Sequence, residues 1–160
     1  MSVREEVDIL HKIPLFAGVK KDHLNTLAFA TEHLEFAPGE VIIEEGAAPD
    51  AAYLILAGTA EVIFGDEGNP HTVKEIGEQS FIGEIAILNN IPYRTTVRAK
   101  TEVLALQITQ QLFFRSVSEF PDMALAIMRV LAHRLDDTLN DLVDLKSQIQ
   151  HDETPAAETT

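Results

Sequence analysis

The chain has 160 residues, of which 46% are hydrophobic, and its 12 basic and 26 acidic side chains give a net charge of −14. This length and composition are typical of one globular domain. The charge opposes binding to DNA or to anionic membranes by this chain alone. The absence of cysteine excludes disulfides and thiolate chemistry. No apolar run approaches the roughly 18 residues of a membrane-spanning helix, so the cytoplasm is the expected location.

The first segment, residues 4–30, is predicted to be helical. Apolar residues recur there at helical spacing, first at Val7 and Leu10 and later at Leu24 and Leu27. Pro14 is expected to separate two helices, because proline lacks the N–H group that a helix interior requires.

Short apolar or alternating runs fill the next part of the chain, about residues 33–108, with turn residues between them. The runs are residues 41–43, 53–56, 61–64, 72–76, 95–99 and 103–108. Many short strands with regular turns favour an antiparallel jelly roll or barrel. The sequence therefore predicts a mainly β fold, an eight-stranded jelly roll (double-stranded β-helix) with N-terminal helices and a long C-terminal helix.

That C-terminal helix is predicted over about residues 121–149, because Pro121 suits a first helical position. Seven residues follow at alternating steps of three and four: Met128, Leu131, Leu135, Thr138, Leu142, Leu145 and Ile149. A stripe of two residues in seven is narrower than an ordinary core-facing stripe, which favours a homodimer over packing on the chain's own barrel. In a parallel pair, Asp141 and Lys146 would face each other with opposite charge. Residues 151–160 are small, polar and acidic, and they are predicted to be disordered beyond a domain of residues 1–150.

The stretch from Phe81 to Val97 carries the chemistry. A helix opening at Gly83 would present the unpaired N–H groups of its first turn, such as those of Ile85 and Ala86, to an anion. Arg94 can donate two hydrogen bonds to phosphate oxygens, and an acidic protein needs a local, buried pocket for such an anion. Glu84 would be out of place beside a phosphate unless it accepted a hydrogen bond from a hydroxyl, so it is interpreted as a sugar contact.

This stretch, Phe-Ile-Gly-Glu followed by apolar residues, a short turn and Arg94, resembles the phosphate-binding cassette of the cyclic nucleotide-binding domain family. That family includes the catabolite activator protein and the regulatory subunits of cyclic-nucleotide-dependent kinases. The resemblance covers roughly residues 8–145. Two features depart from the usual pattern: Gln79 and Ser80 stand where the family has a Gly-Asp pair, and Tyr93 separates Pro92 from Arg94.

The resemblance implies that the ribose is bound by Gly83 and Glu84. It implies that the cyclic phosphate is bound by Arg94 and Thr95 and by the first turn of the helix at Ile85 and Ala86. A threonine at the place of Thr95 also contacts guanine in cyclic GMP kinases, so the choice between cyclic AMP and cyclic GMP stays open, with cyclic AMP expected.

The resemblance further assigns base contacts to Thr138, Val62 and Val73. For each of them a purely structural role is also open. Thr138 could set the register of a coiled coil or bond a carbonyl of its own helix, and the two valines could be ordinary core residues of strands.

The expected function is a receptor module that binds a cyclic nucleotide, signals through its C-terminal helix to an unknown protein partner, and is not an enzyme. No cofactor or metal is expected, since the six histidines form no H-x-H or H-E-x-x-H pair. No helix-turn-helix domain follows residue 150, so the chain is expected to be either a stand-alone receptor or the sensor fragment of a DNA-binding transcription regulator. Two different functions also stay open for a barrel of this kind: a cupin-like metalloenzyme, and a degenerate barrel that binds no nucleotide.

Overall fold

The computed structural model describes residues 2–64 and 71–157, and the side chains of residues 2–64 and 74–150. Helix α1 spans Val3–Lys12 and helix α2 spans Lys21–Ala30, with a 3₁₀ turn at Pro14–Phe16 between them. The Ser2 hydroxyl accepts a hydrogen bond from the Glu5 N–H, and the Glu5 carboxylate accepts one from the Ser2 N–H. This reciprocal cap fixes the start of α1, and the predicted break at Pro14 is confirmed.

The middle of the chain forms two antiparallel sheets of four strands, ordered β1-β8-β3-β6 and β2-β7-β4-β5. The strands are β1 (Glu32–Phe36), β2 (Val41–Ile43), β3 (Ala51–Ala57), β4 (Ala60–Phe64), β5 (His71–Ile76), β6 (Phe81–Ile82), β7 (Thr96–Ala99) and β8 (Val103–Thr109). Helix α3 (Glu84–Asn89) lies between β6 and β7, and helices α4 (Gln110–Glu119) and α5 (Pro121–Ala157) follow β8. The predicted mainly β fold with flanking helices is confirmed, and the strand order is consistent with a jelly roll.

Two strands lie outside the runs that the sequence predicted. Strand β1 is rich in charged residues but pairs along its whole length with β8, from Glu32 opposite Gln107 to Phe36 opposite Val103. Strand β6 has only two residues and pairs with Tyr53 and Leu54 of β3. Both depend on a partner distant in sequence, which local alternation does not reveal.

Strand β3 is apolar throughout because both of its faces are buried. Ala52, Leu54 and Leu56 belong to a core cluster that α1, α2, α4 and the start of α5 share with the first sheet. Tyr53 and Ile55 face the second cluster, which fills the space between the two sheets. The first sheet therefore has a core cluster on each of its faces, and α3 packs against β3 of this sheet.

The first turns of α5 are held by the N-terminal segment. A Cβ on Gly18 would lie 3.3 Å from the Cβ of Ala126, so the two backbones approach closely. The Lys20 ammonium lies 3.3 Å from the Asp122 carboxylate. Met123 and Ile127 are buried in the core.

The rest of α5 differs from the prediction in two respects. Leu131 packs against the core, whereas Leu125, Leu139 and Val143, which are outside the predicted stripe, are about half exposed or more. The apolar surface is thus wider than two residues in seven. The helix also continues to Ala157, so the backbone of residues 151–157 is helical where disorder was predicted. No glycine follows Gly83 in the chain to end this helix.

Candidate functional site

A pocket of about 380 Å³ lies between α3 and the sheet β2-β7-β4-β5. It has the size of an ordinary small-molecule site. Seven of the residues predicted from the sequence line it: Val62, Gly83, Glu84, Ile85, Ala86, Arg94 and Thr95. The remaining lining is mainly apolar and comes from Ile43, Phe81, Ile82, Ile91, Pro92, Tyr93 and Val97.

Gly83 allows the chain to turn from β6 into α3. Its φ of +84° lies in the left-handed region, and a Cβ there would come within 2.9 Å of the Ala51 carbonyl oxygen. Only glycine meets both conditions without strain. The turn leaves the first N–H groups of α3 outside the helical hydrogen-bond pattern, and Ile85 and Ala86 of this first turn line the pocket.

Gln79 also has a positive φ, of 69°, at the position where the family has glycine. The Gln79 N–H donates to the Ile55 carbonyl over 2.8 Å, and the Ile55 N–H donates to the Ser80 carbonyl over 2.9 Å. These two bonds to β3 hold a backbone conformation that a non-glycine residue adopts at a cost of about 1–2 kcal/mol. The departure from the Gly-Asp pair therefore leaves the approach to β6 in place.

Glu84, the first residue of α3, has a side chain that is only 17% exposed. Burial raises the pKa of its carboxyl group above the ordinary value, while its own backbone N–H and the charge of Arg134 act in the opposite direction. The Arg134 guanidinium on α5 lies 4.0 Å from the Glu84 carboxylate. The pocket therefore holds a desolvated hydrogen-bond acceptor in contact with the C-terminal helix.

Tyr93 anchors the loop that carries Arg94. Its buried hydroxyl donates to the Ala51 carbonyl over 2.6 Å and accepts from the Ala51 N–H over 2.9 Å. Its backbone accepts from the Gly46 N–H and donates to the Ala47 carbonyl. The residue that interrupts the expected Pro-Arg sequence is thus a structural anchor, which the sequence pattern did not indicate.

Arg94 lines the pocket and is an exposed residue. Its guanidinium, which projects from an irregular loop before β7, makes no hydrogen bond or ion pair with any residue that the structure describes. An arginine at a pocket, without an acidic neighbour to neutralise it, is suited to an anion. Thr95, the next lining residue, is half-buried.

The predicted base contacts are less complete. Val62 lines the pocket from β4. The backbone of Val73 is in β5, but its side chain lies outside the described residues. Thr138 is not among the lining residues: it is exposed on α5, and its hydroxyl donates to the Arg134 carbonyl over 2.9 Å. This bond within the helix is the structural role that the sequence left open for Thr138.

Arg134, the residue of α5 that lies 4.0 Å from Glu84, was not among the residues predicted from the sequence. It stands one helical turn before Thr138, so the two occupy the same side of α5. The heptad pattern directed attention to the apolar positions and gave no reason to single out an arginine beside them.

A model of the cyclic nucleotide-binding domain family matches residues 33–119. The matched region contains both sheets, α3, α4 and the whole described pocket except its contact with α5. The chain therefore belongs to the cyclic nucleotide-binding domain family.

Three similar proteins represent different settings of this domain. The cAMP-dependent protein kinase regulatory subunit of Emericella nidulans is 36% identical over 106 residues, which are 66% of this chain and 25% of that subunit. The N-terminal domain of a transcriptional regulator from Streptomyces coelicolor superposes with a TM-score of 0.76 at 25% identity, covering 82% of this chain and 94% of that one. The regulatory subunit of a cAMP-independent protein kinase A from Trypanosoma cruzi, bound to guanosine, gives a TM-score of 0.66 at 30% identity over 77% and 43% of the two chains.

The chain spans only part of its curated relatives: 12%, 16% and 28% of the length of three further proteins that it matches. In the described part of the chain, no group of three or more His, Cys, Asp or Glu side chains is placed to hold a metal ion. None of the helices in that part combines the length and apolar character that a membrane crossing requires.

Proposed function

We propose that this chain is a receptor module for a cyclic purine nucleotide, with cyclic AMP as the preferred ligand, and that α5 carries the signal. The single observation that supports the proposal most strongly is the combination of Arg94 and Glu84 in one pocket. One is a cation without an acidic partner among the described residues, and the other is a desolvated acceptor. A cyclic nucleotide carries a phosphate anion and a ribose hydroxyl that match these two groups.

The phosphate is bound by Arg94 and by the hydroxyl of Thr95. The N–H groups of Ile85 and Ala86 supply further donors from the first turn of α3. Since the whole chain has a net charge of −14, attraction of the anion depends on these local donors rather than on the overall field. No residue is given a catalytic role.

The ribose lies over Gly83 and Glu84, where the absence of a side chain on Gly83 leaves room for the sugar and the Glu84 carboxylate accepts from the 2′-hydroxyl. The purine contacts the apolar wall that includes Val62, with Val73 on the neighbouring strand. Apolar walls accept either purine, so the preference for cyclic AMP is supported here by the similarity to a cAMP-dependent kinase subunit.

The signal reaches α5 through Arg134. The Arg134 guanidinium lies 4.0 Å from the Glu84 carboxylate and is attracted by its charge. A ribose hydroxyl that donates a hydrogen bond to Glu84 weakens this attraction. Thr138 lies about 6 Å further along the same side of the helix. A shift of α5 toward the pocket would bring its hydroxyl to the base, and such a shift requires that the ligand bind one arrangement of the helix better than the other.

The exposed apolar surface of α5 supports a homodimer. Leu135, Leu142, Leu145 and Ile149 are each more than half exposed in the isolated chain. A row of exposed apolar residues of this length on one helix is typical of a helix–helix interface. In the dimer the two α5 helices would pack against each other, so a change at the Arg134–Glu84 pair of one subunit would affect the helix of the other subunit.

A second setting for the module is supported by the similarity to the N-terminal domain of a transcriptional regulator. In that setting the chain would be the sensor region of a longer DNA-binding protein. A basic extension encoded after residue 160 would distinguish this setting from a stand-alone receptor.

Titration calorimetry with cyclic AMP, cyclic GMP, 5′-AMP and guanosine tests the proposed function. Saturable binding of a cyclic nucleotide, tighter than that of 5′-AMP, supports it, and tighter binding of cyclic AMP than cyclic GMP supports the base preference. Binding of guanosine as tight as that of both cyclic nucleotides would contradict a role for Arg94 in phosphate recognition. Metal analysis of the same sample tests for a cupin-like metalloenzyme.

A further inference from the structure

Helix α3 carries Glu84 at its first residue, and its other end is hydrogen-bonded to the side chain of Gln110. The amide nitrogen of Gln110 donates to the Ile87 carbonyl over 3.1 Å and to the Asn90 side-chain oxygen over 3.2 Å. Gln110 is the first residue of α4. One side chain therefore joins the helix of the pocket to the first of the two C-terminal helices.

These two acceptors lie at the C-terminal end of α3, where carbonyl groups lack donors from within the helix. A helix of six residues leaves most of its carbonyl groups without an intrahelical donor. Asn90, which ends α3, has a φ of 53° in the left-handed region. The Asn90 and Ile91 N–H groups both donate to the Ala86 carbonyl, so the Ile87 carbonyl is left for an external donor, and Gln110 supplies it.

The backbone of Gln110 is fixed independently of α3. Its N–H donates to the Asp50 carbonyl over 2.9 Å, and the preceding Thr109 hydroxyl caps α4 by accepting from the Leu112 N–H. The side chain thus extends from a fixed base, and a displacement of α3 must either break its two hydrogen bonds or move the start of α4.

We propose that Gln110 is a positioning residue that holds α3 in register with α4 and transmits movement of the pocket helix to the C-terminal helices. The coupling part of this proposal rests on the proposed function, because a ligand must move α3 for anything to be transmitted. The positioning part does not depend on a ligand.

Residue-resolved hydrogen exchange on the full chain tests both parts, with Gln110→Leu and Gln110→Glu as variants. Leucine removes both donors at similar volume, and glutamate places an acceptor against two acceptors. Gln111→Leu is the matched control, because Gln111 is the exposed neighbour in the same turn and its side chain makes no hydrogen bond with the described residues.

Without ligand, the Asn90 and Ile91 amides should exchange about 5- to 30-fold faster in both Gln110 variants, the factor that corresponds to one or two hydrogen bonds. The Leu54 amide, in the centre of β3, should keep its wild-type rate, which separates local loosening from general destabilisation. Unchanged exchange at Asn90 and Ile91, or an equal increase at Leu54, would overturn the positioning role.

With saturating cyclic AMP, the amides of α4 should become more protected from exchange in the wild type and in Gln111→Leu. In Gln110→Leu the ligand should still increase the protection of α3, but most of the increase in α4 should be missing. Equal protection of α4 in all three proteins would overturn the coupling role. A wild type that binds no cyclic nucleotide would refute the proposed function and with it the coupling, while the measurement without ligand still decides the positioning role.

Discussion

The two ends of the pocket are built in different ways. The proposed phosphate and ribose end comes from one continuous stretch of the chain. In this stretch Gly83 passes close to the Ala51 carbonyl oxygen, and Tyr93, the neighbour of Arg94, is hydrogen-bonded to Ala51 of β3. The proposed base contacts come from separate elements, and one of them, Thr138, does not line the described pocket. If the proposed roles hold, the residues for the anion come from one stretch of the chain, while recognition of the base depends on the position of α5.

The largest expected effect concerns the exposed helix. Leu135→Glu combined with Leu142→Glu places like charges on both sides of the proposed dimer seam, and it should convert the dimer to monomers while leaving the barrel folded. Light scattering at micromolar concentration measures the mass. Asn140→Glu with Ser147→Glu is the control, because it adds the same two charges on the opposite side of the helix. A wild type that is monomeric with and without ligand would refute the dimer.

At the proposed phosphate and ribose end of the pocket, Gly83→Ala should strongly lower the free energy of unfolding. It combines a strained φ of +84° with a Cβ 2.9 Å from a backbone oxygen, for a total of more than about 2 kcal/mol. Gly39→Ala is the matched control, because Gly39 has a φ of +89° with nothing within 4 Å of the added Cβ. Gly39→Ala should lose only the stability that corresponds to the backbone strain, and it should still bind the ligand. Thermal unfolding compares the two, and equal losses would mean that the contact with Ala51 does not constrain the turn.

Glu84→Gln should weaken cyclic AMP binding by about 1–2 kcal/mol, since a neutral amide accepts less strongly than a carboxylate. It should also narrow the advantage of the ribonucleotide over the 2′-deoxy analogue. Wild-type protein that binds both analogues equally would remove Glu84 from the sugar contact.

The raised pKa of Glu84 adds a pH dependence with a definite sign. The wild type should bind cyclic AMP less tightly as the pH falls through the folded pKa, because protonation removes the acceptor, while Glu84→Gln should show no such loss in that range. A pKa raised on folding contributes stability that is present below the unfolded value and lost as the pH rises through the folded value. Glu84→Gln should therefore be more stable than the wild type at neutral pH. Unfolding and calorimetry across pH 4 to 8 check both signs.

The smallest expected effect concerns the base end. If α5 moves toward the pocket on binding, Thr138→Val should keep the dimer and lose roughly 1 kcal/mol of affinity, more for cyclic AMP than for cyclic GMP. Equal affinities in Thr138→Val and wild type would leave the hydroxyl with only its bond to the Arg134 carbonyl.

The same contrast explains what could be predicted from the sequence. Gly83, Glu84 and Arg94 are close in the chain, and their residue types together with the family resemblance predicted one site; the structure brings all three to one pocket. The alternating runs predicted six of the strands. Strands β1 and β6, the anchor at Tyr93 and the contact between Arg134 and Glu84 depend on partners distant in sequence. The heptad pattern revealed the long helix but did not reveal that Leu131 packs inward.

Arg94 is proposed to recognise a cyclic phosphate, and a thermodynamic cycle measures this contact. Cyclic AMP and adenosine are titrated into the wild type, Arg94→Ala and Arg98→Ala, the last being an exposed arginine on β7 that does not line the pocket. Arg94→Ala should bind cyclic AMP about 30-fold to several-thousand-fold more weakly, a loss of about 2–5 kcal/mol, and bind adenosine as the wild type does. Arg98→Ala should change neither. Undiminished binding of cyclic AMP by Arg94→Ala, or an equal loss for adenosine, would contradict the phosphate site.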